Sequence, residues 1–316
     1  GITAKWIWSI YTSLTLILVV LLMLGGMNWF DSVCHAFATT GTGGFSTKQA
    51  SVAYYNSPYI EYVISVFMFI SGINFTLLLL FVNRKFKKVI DNAELKWYFW
   101  SVAGFTAIIA VVLYYTSPMG AEEAFRKSLF QVISLHTSTG FATDDYMLWT
   151  PVLWGLLTIV MVIGACAGST GGGIKVSRVI VLFKTMIKEL HSYIHPKSIR
   201  KVNLDGKPVE HEIVRSINVY IVTFVIIFAS SVFMVAFDGK DLVTNFTAVL
   251  TTINNMGPGL AEVGPAGNFS SFSVFSKFVF MFDMLAGRLE LFPLLILFHP
   301  SAWKDLISKR AEARKF

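Results

Sequence analysis

Three stretches decide the reading of this chain: Ala38-Thr39-Thr40-Gly41-Thr42-Gly43-Gly44-Phe45, His136-Thr137-Ser138-Thr139-Gly140-Phe141 and Ile253-Asn254-Asn255-Met256-Gly257-Pro258-Gly259. Each is a short polar turn containing glycine, set between apolar segments. Aligned on Gly41, Gly140 and Gly257, the residues eleven, seven and four positions upstream are Phe30, Cys34 and Phe37, then Leu129, Ile133 and His136, then Phe246, Leu250 and Ile253. Steps of i, i+4, i+7 mark one face of a short helix. His136 is the polar exception.

A long apolar run stands before and after each short helix. The first module reads Trp6–Met27, Trp29–Ala38, Tyr59–Val82; the second Trp97–Tyr115, Glu122–Leu135, then Pro151–Ala165; the third Ile213–Phe237, Asp241–Thr252, Phe272–Phe298. Runs of 18–20 apolar residues span a bilayer, and the short helices between them do not. The unit is helix, half-helix, polar turn, helix, three times over. Non-helical backbone at membrane depth survives only where protein buries it or a cavity takes it in, so three such turns converge on one pore.

Composition agrees. Of 316 residues 54% are hydrophobic and only 14% charged, against about 25% charged in a soluble domain. The net charge of +7 is sorted by place. Asn83–Lys96 holds five Lys and Arg, Lys175–Arg215 nine and Pro300–Phe316 five. These stretches follow the three second helices and are expected in the cytoplasm. The other side carries nine acids (Asp31, Glu61, Glu122, Glu123, Asp144, Asp145, Asp238, Asp241, Glu262) against five cations, an acidic mouth that would concentrate cations or ordinary loop solvation. Cys34 and Cys166 have neither metal-site nor disulfide spacing.

The turns suit a cation. Carbonyls replace its hydration shell without a trapping charge, glycine permits left-handed backbone, and the half-helix carboxyl ends carry partial negative charge. No Lys or Arg lies in any turn. The expected filter is Thr39, Thr40, Gly41 and Thr42; Ser138, Thr139, Gly140 and Phe141; Asn255, Met256, Gly257 and Pro258, with K+ at their carbonyls.

Below the second turn, Gly164-Ala165-Cys166-Ala167-Gly168-Ser169-Thr170-Gly171-Gly172-Gly173 interrupts a helix. Five glycines in ten residues, each costing about 1 kcal/mol relative to Ala, do not hold a helix. A broken helix beneath a filter reads as a movable barrier, and a packing kink is the alternative. A phosphate-cradling loop is disfavoured, because Ile174 separates the last Gly from Lys175. Arg288 stands in the apolar run Phe272–Phe298 near Asp283 and Glu290. Intramembrane charge is costly and marks function, unless Arg288 is paired structurally with one of those acids. Lys175 is expected to mark the inner interface by snorkelling.

These strings resemble the Trk/Ktr/HKT superfamily of potassium transporters, bacterial TrkH-type subunits above all: Ala38–Ser46, Thr139–Thr143, Gly164–Lys175, Asn254–Leu260 and Gly287–Glu290. The resemblance implies an all-α polytopic membrane protein with repeated helix–half-helix–helix modules around a pseudo-fourfold pore. It makes residues 1–90 the second repeat, 91–205 the third and 206–316 the fourth with a cytoplasmic tail, the first repeat lying outside this chain. It implies potassium uptake gated by the intramembrane loop (Gly164, Gly168, Ser169, Thr170, Gly171, Gly172, Gly173, Lys175) with Arg288 and Glu290, not an enzyme. It also implies a homodimer, a cytosolic nucleotide-binding ring of the TrkA type, contact with membrane lipids, no nucleic acid, no organic cofactor in this chain and a place in the bacterial inner membrane with the C-terminus cytoplasmic. A membrane-embedded enzyme acting on a lipid or phosphorylated substrate is the alternative, and only Asp283 and Glu290 are carboxylates deep enough to serve it.

Overall fold

A computed structural model describes residues 2–196 and 201–297, with side chains from residue 5 onward. The tail 300–316, expected in the cytoplasm, lies outside them. The helices are α1 (Ile2–Leu24), α2 (Trp29–Thr40), α3 (Pro58–Ser71), α4 (Phe75–Val82), α5 (Phe86–Ile90), α6 (Ala93–Thr116), α7 (Ala121–His136), α8 (Pro151–Val162), α9 (Val176–Ile194), α10 (His211–Val235), α11 (Leu242–Ile253), α12 (Val274–Arg288) and α13 (Phe292–Leu297). A small antiparallel hairpin, β1 (Asn203–Leu204) and β2 (Lys207–Pro208), is the one strand pair among the described residues. The chain is an all-α polytopic membrane protein.

Among the described residues, three helices are long and apolar enough to cross a membrane: Lys5–Leu24, Ala93–Thr116 and His211–Asp238. Each is the first helix of a module, and less than a quarter of each apolar window is buried in the protein. Between them lie the half-helices α2, α7 and α11, which are short and nearly enclosed. Nine of sixteen α7 residues and nine of twelve α11 residues are buried, among them Ser128, Gln131, Ser134, Thr244 and Thr251. This inverts a soluble protein: the long apolar helices are outside, and the short half-helices with their buried hydroxyls are inside. Buried hydroxyls demand acceptors. They find them one turn back, Thr40 on the Ala36 carbonyl at 2.9 Å, Thr137 on Ile133 at 2.7 Å and Thr252 on Ala248 at 2.9 Å.

The second helices of the first and third modules depart from the expected continuous span, and that of the second is broken at the glycine-rich stretch as expected. Tyr59–Val82 is cut at Gly72-Ile73-Asn74 into α3 and α4, bent by 101°, with Asn74 capping α4 through its side chain. Pro151–Ala165 is helical only to Val162, and α9 starts at Val176. Phe272–Phe298 breaks after Arg288, where Glu290 and Leu291 take left-handed φ of 60° and 56°. Apolar composition alone conceals the first and third of these breaks, since their residues remain compatible with a membrane helix.

The outer charges are paired or used as caps. Arg126 bridges Glu61 and Glu122, Lys127 meets Glu123 and Asp144, and Lys240 meets Glu262. Asp241, Asp145 and Asp238 accept the backbone N–H groups of Thr244, Met147 and Ser273. Asp31 accepts from Thr47 Oγ1 at 2.5 Å and Tyr55 OH at 2.8 Å, with Lys48 Nζ at 3.3 Å. Those donors hold its carboxyl down to about 2. Each of the nine acids thus has a cation or a hydrogen-bond donor beside it, while Glu122, Asp241 and Glu262 remain exposed.

Candidate functional site

The three half-helices end in the same hydrogen-bonded motif. Their last turns close with N–H to C=O bonds from Thr42 to Thr39 and Gly43 to Ala38, from Ser138 to Leu135 and Thr139 to Ser134, and from Asn255 to Thr252 and Met256 to Thr251, all at 2.8–3.2 Å. This is a Schellman ending, which places the first residue beyond the cap in the left-handed region. That residue is Thr42 (φ 50°), Ser138 (55°) or Asn255 (56°). Two positions later comes a glycine with positive φ: Gly44 (64°), Gly140 (84°) and Gly257 (107°).

This corrects the expected register of the first turn by three residues. Gly41 is the cap of α2 in right-handed conformation, φ −80° and ψ −4°, and matches Thr137 and Asn254. Thr39 and Thr40 belong to α2 itself. The first-turn counterparts of Ser138-Thr139-Gly140-Phe141 and Asn255-Met256-Gly257-Pro258 are Thr42-Gly43-Gly44-Phe45. The error is physical in origin: a Thr-Gly pair occurs twice in Thr40–Gly43, and only backbone handedness tells which glycine is which.

The turns are stacked one against the next. A Cβ on Gly44 would run into the carbonyl of Thr139, and one on Gly140 into that of Met256, with Pro258 Cδ 3.0 Å away. A Cβ on Gly257 would meet nothing within 4 Å. Each glycine thus lets the next turn approach, and the third faces open space. A cleft of about 900 Å³ opens there, lined by Gly140, Gly257, Thr251, Met284 and Arg288.

The glycine-rich loop lies directly under the half-helices. Thr170 Oγ1 donates to the Thr40 carbonyl at 3.1 Å. A Cβ on Gly171 would lie 2.9 Å from the Thr137 carbonyl, and one on Gly172 would collide with the Asn254 carbonyl. Three consecutive loop residues thus sit against the carboxyl ends of three consecutive half-helices. The Gly172 N–H donates to Ser138 Oγ, so the loop also touches a turn. At its base Gly164 N–H bonds the Ile174 carbonyl at 2.8 Å and Val176 N–H the Ala165 carbonyl at 3.2 Å. The break between α3 and α4 receives it: Cys166 N–H donates to Gly72 O at 3.0 Å, and Phe75 N–H to Gly168 O at 3.1 Å. Ser169 Oγ turns inward to the Cys166 carbonyl at 2.6 Å, and Gly173 is left-handed at φ 72°.

Arg288 reaches this loop. Its Nη1 donates to the Thr170 carbonyl at 2.8 Å. The two structural pairings considered for it are not formed. Glu290 pairs with Arg178 of α9, and Asp283 accepts from Ser231 Oγ at 2.8 Å. Arg288 is the last residue of α12 rather than a mid-helix charge, and Gly287 beside it lies against the Ile253 carbonyl, where a Cβ would clash. Lys175 does not snorkel: it is buried and donates to the Gly171 carbonyl, folding back over its own loop. Glu94 was not legible as a site residue. An acid in a helix's first turn reads as an ordinary end-of-helix charge, yet its Oε1 accepts the amide of Ala167 in the loop and that of Ser177 at the start of α9. No group of three or more His, Cys, Asp or Glu among the described residues could hold a metal.

A family model for TrkH, described as a cation transport protein, matches residues 2–305. The chain belongs to the TrkH family. It is 36% identical over 305 residues to the Trk system potassium uptake protein TrkH of Escherichia coli (strain K12), covering 96% of this chain and 63% of that protein. It is 31% identical over 304 residues to TrkG of the same organism, covering 62% of it. The fold is similar to the crystal structure of the potassium transporter TrkH from Vibrio parahaemolyticus, with a TM-score of 0.88, 34% identity, 95% of this chain and 65% of that one covered. This TrkH-family chain therefore spans less than two thirds of the length of these relatives.

Proposed function

We propose that this chain forms three of the four repeats of a potassium uptake pore, with residues 1–90, 91–205 and 206–316 as the second, third and fourth. The relatives are named potassium uptake proteins. The stacking of the turns one against the next, with the face of Gly257 open, fits a fourth turn at that place. The filter in this reading is Thr42–Phe45, Ser138–Phe141 and Asn255–Pro258, and potassium is the cargo of their carbonyls.

The observation that carries the reading is the seat of the glycine-rich loop. Thr170, Gly171 and Gly172 stand against the carboxyl ends of α2, α7 and the turn after α11. Those ends carry the partial negative charge that would hold a dehydrating cation beneath a filter. A loop lying there blocks the axis, and Arg288 both pins it and repels a cation. The barrier in this reading is Gly164–Lys175 with Arg288. Glu290 enters at one remove, through Arg178 on α9.

The basic stretches Asn83–Lys96 and Lys175–Arg215 support a cytoplasmic position for that end of the molecule by the positive-inside rule, and in this reading the membrane is a bacterial inner membrane with the C-terminus inside. The relatives' names refer to a Trk system, which supports further components: a second copy of the chain and a cytosolic nucleotide-binding ring of the TrkA type, with lipid around the outer helices. The family's description as cation transport proteins favours this reading over a membrane enzyme.

The test is rubidium or potassium uptake by proteoliposomes holding the full-length protein. Uptake that prefers potassium over sodium is expected. No flux above empty vesicles sinks the reading.

A further inference from the structure

One carboxylate oxygen holds both ends of the glycine-rich loop. Glu94 Oε1 accepts the N–H of Ala167 at 2.7 Å and the N–H of Ser177 at 3.1 Å. Ala167 lies early in the loop, and Ser177 lies just past it in the first turn of α9. Glu94 is 7% exposed. A first-turn acid ordinarily serves the free amides of its own helix. Here Asn92 already caps α6, its side chain taking the Leu95 N–H at 2.9 Å, and Glu94 is turned onto another segment. Buried amides of irregular backbone must find acceptors. Glu94 supplies one for two of them, and in doing so ties the loop to the start of α9.

The helix carrying this clamp is itself held from the Lys- and Arg-rich side. Asp205, at the tip of the β1–β2 hairpin, accepts the Ala93 N–H at 2.6 Å and the Asn92 Nδ2–H at 3.2 Å. Lys184 of α9 donates to the Asn203 carbonyl of the same hairpin at 2.8 Å. The hairpin therefore touches both helices whose ends meet at Glu94: the α6 start next to the clamp, and α9 leading out of the loop.

We propose that Glu94 is a positioning residue that holds the loop seated, and that the Asn203–Pro208 hairpin sets its grip, so that displacing the hairpin unseats the loop. This rests on the loop being the barrier of the pore. The hairpin is exposed at Asp205 and Gly206, where a cytosolic partner could move it, while Glu94 beneath is buried.

Cys166, beside Ala167 and fully buried, reports the loop's position without reference to transport. In the full-length protein with Cys34→Ser, its rate of modification by a small cationic methanethiosulfonate is measured alongside rubidium uptake. Glu94→Ala removes the acceptor, Glu94→Gln keeps an oxygen there, and Asp205→Ala acts one step away. Cys166 should react about tenfold faster in Glu94→Ala and about threefold faster in the other two, in line with the loss of charge-assisted and neutral hydrogen bonds. Uptake should rise in the same order with an unchanged rubidium-to-sodium ratio, which general loosening would not preserve. Wild-type protection of Cys166 in all three variants overturns the proposal, as does faster reaction accompanied by lost selectivity. If Glu94→Ala does not fold, the other two decide, and wild-type protection in both overturns it. Faster reaction in the stated order with unchanged uptake supports the clamp and refutes the loop as barrier.

Discussion

The turns after α2, α7 and α11 and the loop between α8 and α9 are both irregular backbone enclosed by protein, and they are held in opposite ways. The turns are made by backbone. Three different sequences, Thr-Gly-Gly, Ser-Thr-Gly and Asn-Met-Gly, close the same Schellman ending and repeat the same left-handed steps. The loop is made by other elements. Its seat depends on Glu94 of α6, Ser138 of the second turn, the α3–α4 break and Arg288 of α12. A backbone motif tolerates many side chains but not a Cβ where the next turn must approach. A loop held by groups from four places can be let go by any one of them. That division suits a filter that keeps its shape and a barrier that moves.

The largest effect is expected at the contact between turns. Gly140→Ala puts a Cβ on the Met256 carbonyl and forces an L-residue to hold φ 84°. The handedness alone costs about 1–2 kcal/mol, and the collision adds to it. Uptake should fall about a hundredfold or more, or the protein should fail to assemble. Gly257→Ala sharpens the point. In this chain its Cβ meets nothing, so loss as deep as that of Gly140→Ala in the longer protein would mean that a further turn packs there. A loss of only about tenfold, the cost of handedness alone, would break the fourfold cycle. The measurement is rubidium uptake for the two variants side by side, at matched protein content.

Arg288→Gln tests the other half of the comparison. The substitution removes one charge-assisted hydrogen bond to Thr170 O and a positive charge below the turns. Such bonds contribute about 1.5–3 kcal/mol when buried, and Arg288 is exposed in this chain, so solvent screening brings the contribution down to about 1 kcal/mol. Uptake should rise by about threefold to tenfold, with potassium-to-sodium selectivity unchanged. A fall in selectivity instead would mean that Arg288 supports the turns and that the two regions are not independent.

Much of this architecture is legible in the sequence, and the losses have identifiable causes. Apolar run length and the recurrence of a short amphipathic segment are enough for three modules, because lipid and the pore act on composition. The breaks at Gly72–Asn74 and Leu289–Leu291 escape, since apolar residues such as Ile73 and Leu291 read as helix until their φ is known. The register of the first turn escapes because Thr40–Gly43 holds two Thr-Gly pairs, and only the handedness of Thr42 tells them apart. Glu94 escaped because its partners, Ala167 and Ser177, are far away in sequence and are reached through backbone amides, which leave no mark on residue type.

The smallest effect concerns the outer scaffold, which the loop should not share. Asp31 stands at the start of α2 with Thr47, Tyr55, Asn28 and Lys48 around its carboxylate. Their donors, Thr47 first, lower its titration from 3.8 to about 2. A carboxyl with a depressed folded value adds stability above its unfolded value, and that stability is lost as the pH falls through the folded one. The contribution of Asp31 is therefore complete above about pH 4 and disappears by about pH 2. Asp31→Asn should lower the thermal midpoint of the detergent-solubilised protein by a few degrees at pH 7 (about 1–2 kcal/mol across a chain of this size), and the difference from wild type should shrink between pH 4 and pH 2. Cys166 protection should be the same in both proteins over that range, because none of the Asp31 partners touches the loop. If protection of Cys166 falls with the outer network, the turns and the loop move as one body, and the contrast between a fixed filter and a releasable barrier fails.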